Sequence, residues 1–168
     1  LQLPDFRAAE RTFDLIVQVS GRAGRFHPDG KVLVQTYLPD NETIHLAARA
    51  DLDTFYKKEL EARKALGFPP FTRLIRLVFR ARGAGKSHSA AAGFAESLQA
   101  ADPSALGVEV LGPAECPLSV IAGNHRNHLI FRSKDFRALH TLVRRSLERF
   151  QAPAGVYVEV DVDPVSLL

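Results

Sequence analysis

The alternation of hydrophobic and polar positions is most regular in the second half of the chain. Residues 73–82 place apolar side chains at nearly every second position, and residues 156–163 alternate valine with Tyr, Glu or Asp. A period of two is typical of half-buried β-strands. Shorter apolar runs and helical stripes complete the pattern with strands at 107–112 and 127–133 and helices at 86–101 and 135–150. The order βαββαβ predicts a ferredoxin-like α+β domain, in which the first and last strands are neighbours in an antiparallel sheet.

The first forty residues predict one helix and one strand. Residues 5–20 carry apolar side chains at helical spacing, and Gly21 and Gly24 predict a glycine-punctuated turn just beyond them. Residues 31–37 are rich in β-branched side chains and lie between turn residues, which predicts a strand. One helix and one strand cannot bury a core alone, so this part is predicted to be the end of a larger domain.

A helical connector is predicted to follow. Residues 41–66 have helical character with a break near Asp51, where Asp51 or Asp53 would cap a second helix. Gly67 and the following Pro69-Pro70 are a strong stop signal. The predicted domains are therefore residues 1–40, 41–70 and 71–168.

Composition excludes several classes of protein. With 46% hydrophobic and 24% charged residues, the chain is neither disordered nor collagen-like, and it has no apolar run long enough to cross a bilayer. Its one cysteine, Cys116, excludes a disulfide scaffold and predicts a reducing, cytoplasmic location. The chain begins with Leu1 and contains no Met, which predicts a piece of a longer protein.

The net charge of +3 comes from the first half of the chain. Residues 1–84 hold 14 Lys and Arg against 10 Asp and Glu, whereas residues 85–168 hold 8 against 9. A modest excess of this kind is compatible with nucleic-acid binding but does not require it.

The string Gln18-Val19-Ser20-Gly21-Arg22-Ala23-Gly24-Arg25 is the main candidate for chemistry. Glycine lets the backbone approach a ligand closely, and a guanidinium group matches phosphate with paired donors. Two such arginines, Arg22 and Arg25, suit the γ-phosphate of a nucleotide, where one of them would act as an arginine finger. A basic turn without a ligand is the alternative that the short motif leaves open.

This string resembles motif VI (Q-x-x-G-R-x-G-R) of superfamily two helicases. The flanking segments PDFRAAERTF, GKVLVQTYLPDN, KKELEARKALGFPPF, LGPAECPL and VDVDP occur in the order typical of the primosomal protein N′ (PriA) family of replication-restart helicases. The resemblance spans nearly the whole chain. It implies the end of the second RecA-like lobe, followed by a C-terminal domain similar to a small-subunit ribosomal protein.

The resemblance also implies an activity for the longer protein. That activity is ATP-dependent 3′ to 5′ unwinding of DNA, with recognition of stalled or branched forks and restart of replication by primosome assembly. ATP, Mg²⁺ and zinc are the implied cofactors; the zinc belongs to an upstream cysteine-rich region, and this segment alone is predicted to be inactive. Branched and single-stranded DNA, single-strand-binding protein and other primosome proteins are the implied partners. The implied nucleotide-facing residues are Gln18, Gly21, Arg22, Gly24 and Arg25.

The arginines of the predicted sheet allow two interpretations. Arg76, Arg80 and Arg82 lie on the polar face of the first strand, where they either pair with the acidic residues of the last strand or contact DNA phosphates. Family members usually carry a glycine-arginine-tyrosine-arginine-like stretch where this chain has residues 123–128, and there only Arg126 keeps a permanent charge. We keep Arg126 as the fourth candidate for DNA binding. A non-enzymatic module that docks protein or RNA is the alternative function.

Two further patterns do not predict sites. Residues 83–87 (GAGKS) imitate a phosphate-binding loop, but Arg80 stands where that motif needs glycine, so a turn and a helix start are predicted. His125 and His128 lie near Glu115 and Cys116, but no second ligand pair completes a zinc site, and no metal is predicted in this segment.

Overall fold

The computed structural model describes residues 5–26 and 30–167, without the side chains of residues 24–26. Contacts divide the chain into two compact units between residues 66 and 67. The N-terminal unit contains the helices α1 (Ala8–Phe26), α2 (Glu42–Ala48) and α3 (Leu52–Leu66). The C-terminal unit contains β1 (Arg73–Ala81), α4 (Ala84–Ser97), a short 3₁₀ helix (Gln99–Ala101), β2 (Glu109–Ile121), β3 (Asn124–Ser133), α5 (Phe136–Arg149) and β4 (Val156–Val162).

Side-chain caps mark the starts of α2 and α3 in the N-terminal unit. The Oδ1 atom of Asn41 accepts a hydrogen bond from the backbone N–H of Thr43 (3.0 Å) at the start of α2. Asp51 Oδ1 accepts from the N–H of Thr54 (3.1 Å) at the start of α3. Such caps satisfy N–H groups that have no partner within the helix. The predicted break near Asp51 is confirmed, and Asp51 rather than Asp53 is the cap.

Aromatic stacking joins the helices of the N-terminal unit. The rings of Phe13 (α1) and Phe55 (α3) are nearly parallel, with centroids 4.1 Å apart. Ile16, Leu46 and Ala47 complete this buried cluster. Arg63 reaches from α3 to Glu10 on α1, with Nη2 2.5 Å from Oε2. The unit is therefore held by a small apolar core with an ion pair beside it.

The strand predicted at residues 31–37 is not formed in this structure, so that prediction is wrong here. These residues carry no regular secondary structure, and Leu33 and Tyr37 are 96% and 97% exposed. A strand needs a neighbour to satisfy its backbone groups. Within the described residues, all paired strands belong to the C-terminal unit. The β-branched composition of residues 31–37 favours an extended backbone, but the described part of the N-terminal unit contains no strand with which it could pair.

The C-terminal unit has the predicted ferredoxin-like topology. Its sheet has the order β2-β3-β1-β4, and every neighbouring pair is antiparallel. The first and last strands are neighbours, with Leu77 opposite Val160 and Ala81 opposite Val156. The helices α4 and α5 pack on one face of the sheet over a core that includes Phe79, Phe94 and Phe131. The α+β fold predicted from the alternation is confirmed.

The β2–β3 hairpin is longer than the sequence predicts. The sequence predicts strands at 107–112 and 127–133, whereas the observed strands cover 109–121 and 124–133. Gly112 and Pro117, residue types that usually break strands, lie within β2. The register shifts between Leu111 and Ala114 and again between Glu115 and Val120, so β2 continues past both irregularities. Edge strands tolerate bulges and prolines because one side of the backbone needs no partner.

A sharp corner after β4 folds the last residues over the outer face of the sheet, opposite the helices. Asp163 has φ 51°, its N–H donates to the carbonyl of Leu74 (2.8 Å), and its carboxylate pairs with Arg73. Pro164 and Leu167 are buried beyond this corner. The segment 163–167 therefore covers part of the outer face, and we call it the C-terminal tail.

Candidate functional site

The glycine-arginine string lies inside a helix and not in the predicted turn. The helix α1 continues through Gly21 and Gly24 to Phe26, and a Cβ added at Gly21 would meet no atom within 4 Å. Glycine lowers helix propensity but does not forbid a helix. The interruption that the two glycines predicted is therefore absent from the described backbone.

The helical backbone places the predicted nucleotide-facing residues on one side of α1. Gln18, Arg22 and Arg25 are spaced i, i+4 and i+7, which is one face of an α-helix. Gln18 and Arg22 are exposed, whereas Phe13 and Ile16 on another face are buried. The side chain of Arg25 lies outside the described residues. The helix thus holds a permanent cation and an amide on a solvent-facing side.

The four arginines predicted to contact DNA have different surroundings. On the outer face of the sheet, Arg80 (β1) lies opposite Arg126 (β3) on one side and Tyr157 (β4) on the other. The Nη1 of Arg126 donates to the carbonyl of Leu118 (3.2 Å). Arg82 follows β1 directly and is exposed. Three of the four guanidinium groups are therefore gathered toward one end of this face.

Arg76 differs from the expectation, because it is buried. It is only 3% exposed, its Nε donates to Nδ1 of His128 (3.1 Å), and its Nη1 donates to the carbonyl of Ser166 in the C-terminal tail (3.4 Å). A guanidinium held in this way is a structural group and not a surface contact. We therefore leave Arg76 out of the candidate DNA surface.

Acidic side chains pair with some of the arginines, as the cross-strand interpretation predicted. The Nε of Arg80 lies 2.6 Å from Oε1 of Glu159, and Asp161 stands opposite Arg76 in the register. Arg73 and Asp163 form a further pair, which lowers the pKa of the Asp163 carboxyl chiefly through the hydrogen bonds from Arg73. Arg82 has no ion-pair partner among the described residues. Within these residues, Arg82 therefore keeps its positive charge unpaired, whereas the charge of Arg80 is matched by Glu159.

A pocket of about 410 Å³ lies next to Arg82, at the end of the sheet where α4 begins. It is lined by Arg82, Gly83, Lys86, Asn124, Gly155 and Tyr157. The helix α4 starts at Ala84, and Gly83 before it has an extended backbone. The helix start predicted for residues 83–87 is confirmed. We call this feature the Arg82 pocket. It presents two cations, an amide and a phenol ring at one opening.

Tyr157 and Lys86 are the residues that the sequence reasoning missed. Tyr157 is 62% exposed, and the guanidinium carbon of Arg80 lies 5.1 Å from its ring centre. The alternation of the last strand could have identified Tyr157, because it places this residue on the polar face together with Glu159 and Asp161. Lys86 belongs to the GAGKS string, which does not match a phosphate-binding loop and therefore does not predict a site.

The pKa of His128 is lowered to about 4, first by its burial and then by the charges of Arg76 and Arg126. The imidazole is therefore neutral at pH 7, and its Nδ1 accepts the hydrogen bond from Arg76. In the unfolded chain the imidazole of His128 would take up a proton at about pH 6.5, whereas in the folded chain it stays neutral down to about pH 4. Between these two pH values, proton uptake therefore favours the unfolded chain. The contribution of the neutral imidazole to stability is lost as the pH falls from about 6.5 to about 4.

We expect the His128→Gln variant to lose less stability than the wild type between pH 7 and pH 4. Glutamine keeps an acceptor but does not titrate, so the difference between the two proteins isolates His128 and amounts to at most about 3 kcal/mol. Urea unfolding at several pH values measures it. Parallel stability curves for the two proteins across this range would contradict the assignment.

Two other kinds of site are absent from the described part of the chain. Within residues 5–26 and 30–167, no three His, Cys, Asp or Glu side chains are grouped to hold a metal ion. No helix in the same residues combines the length and hydropathy needed to cross a membrane.

Comparisons with known proteins agree with the motifs. The family model described as "Primosomal protein N C-terminal domain" matches residues 64–165. The chain is 47% identical over 168 residues to "Replication restart protein PriA" of Treponema pallidum, covering 100% of the chain and 25% of that protein. The proteins of the same name from Borreliella burgdorferi and Bacillus subtilis are 35% and 32% identical over 166 and 174 residues, covering 99% and 100% of the chain.

These matches leave most of each relative unaccounted for. The chain spans 25% of the Borreliella burgdorferi protein and 21% of the Bacillus subtilis protein, so it is about a quarter of their length. The family model nevertheless covers more than half of the chain, including the whole sheet of the C-terminal unit. The resemblance inferred from the motifs is confirmed: this chain belongs to the primosomal protein N C-terminal domain family.

Proposed function

We propose that this chain is the part of a replication restart DNA helicase that contacts DNA and completes the nucleotide site of the motor. The proposal rests on family membership and on relatives that carry the name replication restart protein. In it, the longer protein uses ATP and Mg²⁺ to unwind DNA 3′ to 5′ at stalled or branched forks and then assembles a primosome. Its partners are branched and single-stranded DNA, single-strand-binding protein and other primosome proteins.

The α1 face supports the motor part of the proposal. Gln18 and Arg22 are exposed side by side on one helix face, where an amide and a fixed cation suit a nucleotide phosphate. In the complete motor, Gln18, Arg22 and Arg25 would face ATP, with Gly21 and Gly24 allowing close approach. One of the two arginines would stabilise the charge that develops on the transferred phosphoryl group.

The cationic end of the outer sheet face supports the DNA-binding part. Arg82 has no acidic partner in the described residues, Arg126 donates to a backbone carbonyl, and Lys86 opens into the same pocket as Arg82. Phosphate contacts of this kind supply most of the non-specific affinity for DNA. This concentration of cations is the observation that carries the proposal.

A docking module for protein or RNA is the second candidate function. The pairs Arg80–Glu159, Arg73–Asp163 and Arg132–Glu109 favour it, because they reduce the charge that the C-terminal unit offers to phosphate. A protein-docking surface does not need a net positive field. The two candidates differ in the salt dependence of DNA binding.

We expect the chain to bind a forked DNA with an affinity that falls steeply as salt rises. The double variant Arg82→Gln/Arg126→Gln should bind about tenfold more weakly at low salt, and the slope of log K against log salt should be smaller by about 2. Fluorescence anisotropy with residues 1–168 over a salt series measures both quantities.

The matched control is Arg137→Gln/Arg144→Gln, which removes two exposed arginines from α5 on the helix side of the sheet. It should change the slope by less than half a unit. A wild-type chain that does not bind the fork at low salt would reject the DNA proposal and favour docking. Equal losses in both double variants would reject the assigned face.

A further inference from the structure

The Arg82 pocket contains a feature that phosphate contacts alone do not use, which is the ring of Tyr157. This ring is 62% exposed on the last strand, at the outer edge of the sheet. Its neighbour across the strand pair is Arg80, whose guanidinium carbon lies 5.1 Å from the ring centre. Arg80 is in turn anchored by the carboxylate of Glu159. A held cation therefore lies against the ring, and most of the side chain is exposed to solvent.

Two cations and an amide line the same pocket as this ring. Arg82 and Lys86 line the same pocket, both are exposed, and neither has an ion-pair partner among the described residues. Asn124 at the start of β3 adds a side-chain amide whose Nδ2 donates to the carbonyl of Ala122 (3.3 Å). Glu159 is held by Arg80, so its charge is already matched. The opening therefore favours an anionic ligand with a flat ring.

The volume of the pocket suits one unit of a polymer. Its volume of about 410 Å³ lies in the range of roughly 300–1,000 Å³ typical of small-ligand sites. A single nucleotide offers the two groups that the pocket can take, a base for the ring and a phosphate for the cations. Bases stack on aromatic side chains when they are unpaired, whereas a duplex offers mainly its phosphates to such a surface.

We propose that the Arg82 pocket binds one unpaired nucleotide of single-stranded DNA, with its base stacked on Tyr157 and the flanking phosphates held by Arg82 and Lys86. This site deepens the proposed DNA binding and rests on it. It makes the C-terminal unit distinguish single-stranded from duplex DNA. The preference comes from the ring, and the cations supply the affinity common to both forms.

The variant Tyr157→Trp gives a direct reporter, because the chain has no other tryptophan. Stacking of a base on the indole should quench its fluorescence when a thymine oligonucleotide is added to residues 1–168. A blunt duplex of the same length should leave the fluorescence nearly unchanged. The same quenching should be lost when Arg82→Gln and Lys86→Gln are added to the reporter.

The affinities of variants for single-stranded and duplex DNA distinguish the contribution of the Tyr157 ring from that of the neighbouring cations. Tyr157→Ala should weaken binding of the oligonucleotide about tenfold and of the duplex less than twofold, since one stacked base is lost. Tyr157→Phe should restore single-strand binding to within about twofold of the wild type. Tyr37→Ala, which removes another exposed tyrosine, and Lys134→Ala, at the opposite end of β3, should leave both affinities within twofold.

The possible failures can be told apart. If the chain binds DNA but Tyr157→Ala weakens single strand and duplex equally, or the reporter is not quenched at saturation, this inference is wrong and the DNA-binding proposal stands. If the wild-type chain binds neither form at low salt, the DNA-binding proposal fails and this inference fails with it.

Discussion

Replacing Arg22 with alanine in a full-length family member that carries this segment is expected to lower the turnover number for ATP hydrolysis about a thousandfold. An arginine that meets the transferred phosphoryl group contributes a factor of this size or more to its transfer. The helix α1 already presents Arg22 at an exposed position beside Gln18. Arg25→Ala is expected to act in the same direction, because it lies one turn further on the same face. Steady-state ATP hydrolysis with saturating DNA measures the loss.

DNA affinity separates this effect from misfolding. The dissociation constant for forked DNA should stay within about twofold in both variants, because neither residue belongs to the C-terminal unit. Arg49→Ala is the matched control, since Arg49 is exposed in the same unit and lies just after α2. It should keep ATP turnover within about threefold. Wild-type turnover in both Arg22→Ala and Arg25→Ala would reject the nucleotide-facing role of α1.

The Gly112→Ala variant is expected to destabilise the C-terminal unit by about 3 kcal/mol. Gly112 has φ +103°, a backbone conformation that residues other than glycine rarely adopt. It lies where the register between β2 and β3 shifts. An added Cβ would lie 2.7 Å from the backbone oxygen of His128 and 3.1 Å from the N of Ala114. Both are backbone atoms, so neither can move aside without distorting the strands.

Thermal unfolding followed by circular dichroism should show a midpoint lower by roughly 10–20 °C for Gly112→Ala. The thiol of Cys116, which is buried on the same strand, should react faster with a disulfide reagent. Gly93→Ala is the matched control inside α4, where an added Cβ meets no atom within 4 Å, and it should stabilise by about 0.5–1 kcal/mol. A midpoint within 2 °C of the wild type for Gly112→Ala would contradict the described bulge.

The fold of the C-terminal unit could be predicted because its signals are local and consistent. The alternation in residues 73–82 and 156–163 identifies two strands, and the order of elements then leaves few topologies. The β2–β3 hairpin could not be bounded in this way. Its extension past Gly112 depends on bulges, which are set by pairing with β3 and leave little trace in hydrophobic periodicity.

The N-terminal unit shows the opposite case. Residues 31–37 have the composition of a strand but form none, since pairing is a property of the neighbours and not of the segment. The glycines at 21 and 24 predicted a turn, yet α1 continues through them. Local propensity is a weak prior where the surrounding contacts decide the backbone.

The candidate site was predictable in its residue types but not in its arrangement. Arg80 and Arg82 could be chosen because they carry permanent charge on the polar face of a predicted strand, and Arg126 because it is the one permanent charge in residues 123–128. The burial of Arg76 depends on the C-terminal tail and on His128, which the strand pattern does not place over it. Tyr157 joins the site only because β4 lies beside β1, which brings its ring to Arg80.

The Arg82 end of the outer sheet face is the DNA surface that we propose for this chain. A titration of the ¹⁵N-labelled chain with a thymine oligonucleotide, followed by backbone amide shifts, tests it most directly. We expect the largest shifts at residues 82–86, Asn124 and 155–157, with little change along α5. Shifts concentrated on α5 or on the C-terminal tail, with the Arg82 pocket unchanged, would contradict it.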